Sequence, residues 1–457
     1  MQIDIRSLAA FAAALAWSCS STRAAERPDI VVFLSDDHTW RDSSVYGSQD
    51  IDTPNMNRLA DAGMTFEYAF VASPSCAPSR AALLTGLYPA NNGAEPNHSR
   101  PRSDIKKLPA YLQELGYEVV SFGKVGHYTH TAQYGFDIAR HYNYHEDIAI
   151  AKAIEWLRQR NSNRPLCLFV GTNWPHVPWP DIHGIEPAKL KIPPNHVDTP
   201  VSRQWRAKYA AAIRKMDDEL GQVYDVAREK LGEDTFVLHT SDHGAQWPFG
   251  KWNLYEDGIR TPMIVSWPGR IAKGRRTEAM VSWIDVLPTL VDVAGGDAPR
   301  RIDGRSFLPV LEGKASRHRD VIFTTHSGDG NNNVFPIRAA RTANGWKYIR
   351  NLHPEFRYTS HVTNSAADSG YWASWVAHAD SQPKARRLVQ RYQQRPAEEL
   401  YLVTDDPYEQ RNLIDDPKQA ERTAELRQTL DAWMAQTKDK QAVFGTPVPK
   451  AEQSPTF

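Results

Sequence analysis

Five short apolar runs, rich in β-branched residues, punctuate the first two thirds of the chain: DIVVFL (29–34), EVVSF (118–122), PLCLFV (165–170), TFVLHT (235–240) and PMIVSW (262–267). Apolar runs of this length predict strands covered on both faces. Between them the period changes to that of a helix. TPNMNRLADAG (53–63) opens with Thr53 as N-cap and Pro54 at the first helical position, and Gly63 closes it. DIKKLPAYLQELG (104–116) also ends in glycine. From Arg203 to Leu231, Trp205, Tyr209, Ile213, Met216, Leu220 and Val223 recur at three- and four-residue spacing. Strands alternating with helices predict an α/β class: a large, mostly parallel sheet sandwiched by helices.

Beyond about residue 315 the pattern becomes that of a smaller α+β subdomain. VIFTTH (321–326), IRAARTANGWKYIRN (337–351) and EELYLVT (398–404) predict antiparallel strands joined by loops. KQAERTAELRQTLDAWMAQ (418–436) predicts a final amphipathic helix with Leu426, Leu430 and Met434 on one face. The expected division is a catalytic unit over 27–315, the C-terminal subdomain over 316–445 and a tail over 446–457.

The N-terminus changes the picture of where the protein works. Arg6, the apolar LAAFAAALAW (8–17) and the small-x-small Thr22-Arg23-Ala24 predict a signal peptide over residues 1–24, hence an exported, periplasmic or secreted protein. Lipidation of Cys19 is the second option, disfavoured by the bulky Trp17 beside that cut. No other apolar run approaches the ~20 residues of a membrane span, so no transmembrane segment is expected. At 457 residues, with 41% hydrophobic and 24% charged positions, the composition is ordinary for a globular chain. Lys+Arg and Asp+Glu both number 54, and this balance argues against a nucleic-acid partner. Of the three cysteines, Cys76 and Cys167 remain after export and could form one bridge. Cys167, inside PLCLFVG (165–171), reads as a small buried hydrophobe. Cys76, in SPSCAPSRAALLTGLYP (73–89), has Ser, Pro and Arg for company and does not.

Ligands of open α/β sheets bind outside the carboxyl ends of the strands. Asp36 and Asp37 follow the first run, Lys124 and His127 the second, His176 the third, and Asp242 and His243 the fourth. Three carboxylates converging there repel one another unless a cation shares the site. Hard oxygen ligands point to Ca²⁺, with Mg²⁺ as the second option. Cys76 is expected at the start of a helix that Gly86 ends, where free N–H groups favour an anion. Arg80, four residues on, lies on the same face and can bind an oxyanion.

Cys76-Ala77-Pro78-Ser79-Arg80 followed by LLTG resembles the signature of the sulfatase family. The resemblance runs on through SDDHTWRDSSVYG (35–47), FGKVGH (122–127), PHVP (175–178), TSDHG (240–244), GKWNLYEDGIRTPMIV (250–265) and ELYLVTDDPYEQRNL (399–413). It implies an alkaline-phosphatase-like fold and a Cys76 converted to formylglycine by a maturation enzyme, its hydrated aldehyde being the nucleophile. By the same resemblance Asp36, Asp37, Asp242, His243 and residue 76 hold Ca²⁺. Arg80 and Lys124 orient the nucleophile and neutralise charge, and His127 is the base. His176 and Lys251 contact the sulfate and the leaving oxygen, one of them protonating it. Two departures from the family pattern are His243, where Asn is common, and the spacing Lys124-x-x-His127. The C-terminal part looks most like the sulfamidase and polysaccharide-sulfatase branches, which implies a sulfated saccharide as substrate. His98, Arg100, His326, Asn332 and Arg338, read as lying in polar loops, are candidates to line its pocket. The alternatives are a phosphatase or phosphonate hydrolase of the same fold, or a non-catalytic sulfated-sugar-binding relative.

Overall fold

The apolar runs become strands because each can bury both faces. A computed structural model describes residues 27–142, 147–297, 299–364 and 366–450; the predicted signal peptide, Cys19 and residues 451–457 of the tail lie outside them. The first strands in chain order are β1 (Ile30–Ser35), β2 (Met64–Phe66), β3 (Ala69–Phe70), β4 (Glu118–Gly123) and β5 (Ile138–Arg140). They are followed by β6 (Leu166–Gly171), β7 (Phe236–Ser241), β8 (Met263–Ser266), β9 (Arg275–Thr277) and β10 (Val281–Ser282). Eight of them form one sheet in the order β5-β4-β6-β1-β7-β8-β2-β9, while β3 and β10 pair separately. Neighbours in the large sheet are parallel except at β8, which opposes both β7 and β2. β1 is central: Ile30 is in register with Cys167 on one side and Phe236 on the other, and every residue of the strand is buried. Cys167 and Cys76 are both free thiols, so the two do not pair.

The long helix runs over Pro200–Leu231, with the Thr199 side chain capping Ser202 N at 3.0 Å. Tyr209, Ile213, Met216, Leu220 and Val223 are buried as the periodicity predicts, and Trp205 is part-buried against the same core. The Pro54–Asp61 helix forms, but Thr53 does not cap it. The Thr53 hydroxyl is taken by Ser44, and Asp217 of the long helix accepts from Asn55 N and Met56 N at 2.9 and 2.8 Å. A tertiary carboxylate thus does the work expected of a local hydroxyl.

The C-terminal sheet is antiparallel: β11 (Val321–His326), β12 (Ile337–Thr342), β13 (Trp346–Asn351) and β14 (Glu398–Leu402), in that order. The Ala420–Gln436 helix packs Leu426, Leu430 and Met434 against Tyr348 and Leu400 of this sheet. Between β13 and β14 lie helices His361–Asn364, Ala366–Ala379 and Pro383–Gln393, which the sequence patterns above do not predict. Their aromatic residues brace the preceding unit: Tyr371 O–H donates to Gln246 O, and the Tyr392 ring lies 5.3 Å from Phe249. A sealed ionic cluster joins the two sheets. Lys347 Nζ on β13 sits 2.9 Å from Glu256 Oε1 and 2.7 Å from Glu409 Oε1, with Arg341 Nε 3.6 Å from Glu256, all four buried. No helix among the described residues is long and apolar enough to cross a membrane.

Candidate active site

The carboxyl ends of β1, β4, β6 and β7 open into one crevice. Asp36 and Asp37 leave β1, and Asp37 adopts φ 68°, a left-handed conformation that Asp tolerates better than most residues. That turn lets Asp37 N donate to Asp242 Oδ1 at 3.0 Å, tying the end of β1 to the end of β7. Gly123 ends β4 at φ 76°, and a Cβ there would lie 2.0 Å from Gly171 O. Only glycine makes the bend that turns Lys124 inward. At Gly244, after His243, close approach alone demands glycine, since a Cβ would fall 1.7 Å from Asp257 O.

Cys76 begins the Cys76–Thr85 helix and Gly86 ends it at φ 67°, as expected. Its Sγ is 3.3 Å from His243 Nε2, 3.6 Å from Lys124 Nζ and 4.0 Å from Asp36 Oδ1. Asp36, Asp37, Cys76, Asp242 and His243 each offer a ligand atom within 4.8 Å of the others, and all five are buried. Cations interleave with the carboxylates. Arg80 Nε donates to Asp242 at 2.9 Å and its Nη2 to Asp36 at 3.3 Å, while Lys124 pairs with Asp36 at 2.5 Å. Lys251 grips both oxygens of Asp37 at 2.9 and 2.8 Å. His176 Nδ1 lies 2.6 Å from Val177 O, which leaves Nε2 facing Asp37 at 3.8 Å.

The electrostatics follow from burial and this interleaving. Burial pushes the Asp242 carboxyl up to about 7 although Arg80 opposes it. At Asp36 burial is outweighed by Lys124, and the carboxyl sits well below its ordinary range. Burial resists ionisation of Cys76 too, yet Lys124, Lys251 and His243 hold the thiol well below its usual value. The field at residue 76 therefore favours an anion. His243 is raised to about 9; burial works against that, and Asp242 drives it. His127 is lowered to about 4 by burial and stays neutral near pH 7.

Residue 76 opens onto a cavity of about 420 Å³ whose walls include His98, His127, His176 and Lys251. Asn97, Tyr128, Gln246, Trp252, Asp329 and His361 line it as well, and none of these stands out in the sequence. Asp329, from the loop after β11, is the hub of the far wall. It faces His98 Nε2 at 3.2 Å and His361 Nε2 at 3.4 Å, and accepts from Trp252 Nε1 at 2.7 Å. His98 Nδ1 in turn lies 2.8 Å from His127 Nε2.

Of the residues expected in polar loops around the substrate, only His98 lines this cavity. Arg100 is exposed and Asn332 is half-buried outside the lining, its carbonyl accepting from Thr359 Oγ1 at 3.0 Å. His326 and Arg338 need correction: they are on β11 and β12, not in loops, and both are buried. His326 Nε2 is satisfied by Asn333 Oδ1 at 3.0 Å, and Arg338 is held by Asp439, with Nη2 to Oδ1 at 2.9 Å. Their polarity is spent on buried partners, Arg338 Nη2 also lying 3.7 Å from Glu95 Oε2.

The family profile for sulfatases matches residues 28–296. That described as N-sulphoglucosamine sulphohydrolase, C-terminal, matches residues 243–358. The ulvan-active sulfatase of Formosa agariphila is 29% identical, over 94% of this chain and 84% of its own. The N-sulphoglucosamine sulphohydrolase of Homo sapiens is 26% identical, over 90% of this chain and 91% of its own. Among solved structures, that of BT4656 in complex with its substrate D-glucosamine-2-N,6-O-disulfate aligns with TM-score 0.67 at 21% identity, covering 91% of this chain and 99% of that one.

Proposed function

The chain belongs to the sulfatase family of sulfuric ester hydrolases, and on that premise we propose that it is an exported enzyme removing O-sulfate or N-sulfate groups from a saccharide. The observation that carries this reading is the convergence of Asp36, Asp37, Asp242 and His243, all buried, on residue 76 at the floor of a cavity rimmed by His127, His176 and Lys251. The donor set fits a hard divalent cation: it is rich in carboxylate oxygen, compact and shielded from water. Asp36, Asp37, Asp242, His243 and residue 76 would hold Ca²⁺, which would polarise the sulfate oxygens. Converted to formylglycine, residue 76 would supply a hydrated aldehyde as nucleophile toward sulfur.

The remaining residues divide the work by charge and proton. Arg80 is locked between Asp242 and Asp36, so it keeps one orientation and presents a fixed positive charge beside residue 76. Lys124 adds a second charge on the same side. His127, kept neutral by burial, is suited to accept a proton. Against the pull of burial, Asp37 holds Lys251 above the usual lysine range, so Lys251 keeps its proton and serves as a charge. That leaves His176 to protonate the leaving oxygen. The catalytic unit is assigned to residues 27–315 and the C-terminal subdomain, which supplies Asp329 and His361, to residues 316–445.

For the substrate, relatives acting on N-sulfated glucosamine and on ulvan support a sulfated glycosaminoglycan or algal polysaccharide fragment. Mass spectrometry of the peptide containing residue 76 tests the nucleophile: formylglycine is expected, and unmodified cysteine in active enzyme refutes it. Matched sulfate and phosphate esters test the reaction, with faster turnover of phosphate overturning it. A panel of N-sulfated and O-sulfated glucosamines then selects the branch.

A further inference from the structure

The Pro383–Gln393 helix takes no part in the crevice, and its charge is unlike that of the rest of the chain. From Ser381 to Pro396 there are five basic residues, Lys384, Arg386, Arg387, Arg391 and Arg395, and no Asp or Glu, although the whole sequence balances 54 against 54. Leu388, Val389 and Tyr392 are buried, which turns Arg386, Arg387, Gln390, Arg391 and Gln394 to the opposite side. There, with Pro383, they line a concavity of about 340 Å³.

Several exposed bases elsewhere are paired with carboxylates: Arg203 with Asp198 at 2.7 Å, Arg427 with Glu398 at 2.7 Å, Lys152 with Glu155 at 2.8 Å. Among the described residues Lys384, Arg386, Arg387 and Arg391 have no such ion pair. The partners of Arg386 and Arg391 are carbonyls and rings. Arg386 donates to Ala379 O at 3.1 Å and Asp380 O at 2.7 Å, which fixes its fork without neutralising it. Arg391 lies over Phe249 at 4.8 Å and Tyr255 at 5.0 Å, donates to Glu409 O, and buries an Nη1 that has no partner. Phe249 is two residues from Lys251, so the concavity and the crevice lean on one loop. Like charges four apart on a helix, such as Arg387 and Arg391, cost stability when nothing compensates them. Here Arg391 is held in place by its rings and carbonyl, and neither arginine is paired with a carboxylate.

We propose that this groove is an accessory binding site for a sulfated polysaccharide chain, lying outside the cavity that takes the scissile sulfate. The inference rests on the sulfatase reading, which makes the substrate a polyanion. Guanidinium forks match sulfate oxygens, the glutamine amides match sugar hydroxyls, and Arg386 and Arg391, already fixed, lose little entropy on binding. No aromatic residue lines the groove to stack a nucleic-acid base, and no apolar side chain apart from Pro383 lines it to enter a bilayer.

The test compares wild type, Arg387→Ser and Arg386→Ser/Arg387→Ser in binding dextran sulfate across a salt series, with neutral dextran as control. Arg387 makes no hydrogen bond or ion pair among the described residues, so its substitution leaves the fold intact. The slope of log affinity against log salt is expected to fall by about one in the single variant and about two in the double. Binding should weaken about threefold per arginine, with turnover of a small aryl sulfate unchanged. Variants that bind dextran sulfate like wild type overturn the proposal. So does equal, equally arginine-dependent binding of duplex DNA or of anionic phospholipid vesicles, because the groove would then read charge alone. Binding needs no turnover. A protein inactive on every sulfate ester would refute the sulfatase reading, whereas aryl sulfate turnover with arginine-independent polymer binding would refute only the groove.

Discussion

Two buried ionic clusters in this molecule are built from the same ingredients and do opposite things. At the ends of β1 and β7, three aspartates are interleaved with Arg80, Lys124 and Lys251. Between the two sheets, Glu256 and Glu409 are bridged by Lys347, with Arg341 alongside. Both are buried, and both contain carboxyls displaced in opposite directions by burial and by a shared cation. Displaced ionisation alone therefore does not mark an active site. The difference is access: the first cluster is the floor of a cavity of about 420 Å³, and no residue of the second lines it. Open to a cavity, interleaved charge is available to a ligand, as the proposed mechanism requires; sealed, it fixes how two sheets meet.

The comparison can be broken most sharply at the centre of each cluster. Cys76→Ala is expected to lower kcat/KM by at least about 10⁴-fold, while the unfolding midpoint stays close to wild type. Lys347→Met should do the reverse. Two carboxylates are left facing each other without their cation, at a cost of about 3–5 kcal/mol in urea unfolding, while the folded fraction keeps its kcat. If Lys347→Met instead lost activity with stability intact, the sealed cluster would be catalytic after all.

A pH series sharpens the same contrast. Burial raises Glu409 from its ordinary 4.5 to about 7, so between those values the folded state binds a proton that the unfolded state releases. Its contribution to stability is therefore full below 4.5 and is lost as pH rises toward about 7. Relative to wild type, Glu409→Gln should gain in melting temperature across that window; a constant difference would refute the assignment. The smallest expected effect is at the cavity wall. Asp329→Asn keeps one acceptor but cannot satisfy His98, His361 and Trp252 together, so KM for a sulfated saccharide should rise about fivefold. An aryl sulfate that does not reach the wall should be unaffected, and an equal loss on both substrates would make Asp329 merely structural.

What was legible in the sequence was whatever local order determines. The apolar runs define five strands of the large sheet, and the residues directly after four of them, from Asp36 to His243, meet as expected. Cys76 and Gly86 at either end of one helix were equally readable, because caps are local. Asp329 and His361 were not, since they reach the cavity only by the docking of the C-terminal subdomain onto the loop at Trp252. His326 and Arg338 misled for the same reason inverted: their partners, Asn333 and Asp439, lie 7 and 101 residues away. A polar side chain whose partner is remote looks exposed in a sequence. The direction of β8 was similarly hidden, because an apolar run carries no sign of which way it points.

The seating of Cys76 and Arg80 also sets a clock. In the folded chain Cys76 is 2% exposed, at the floor of the cavity, and Arg80 is 0% exposed. If the proposed conversion of residue 76 is carried out by an enzyme that recognises residues 76 to 80, that enzyme would find no handle on such a surface and would have to meet the chain while this segment is still extended. Folding then closes a deadline rather than merely a pocket. On that reading a molecule that folded with its thiol unchanged would be complete in outline and permanently late, and the yield of working enzyme would be decided by a race run before the sheet assembles.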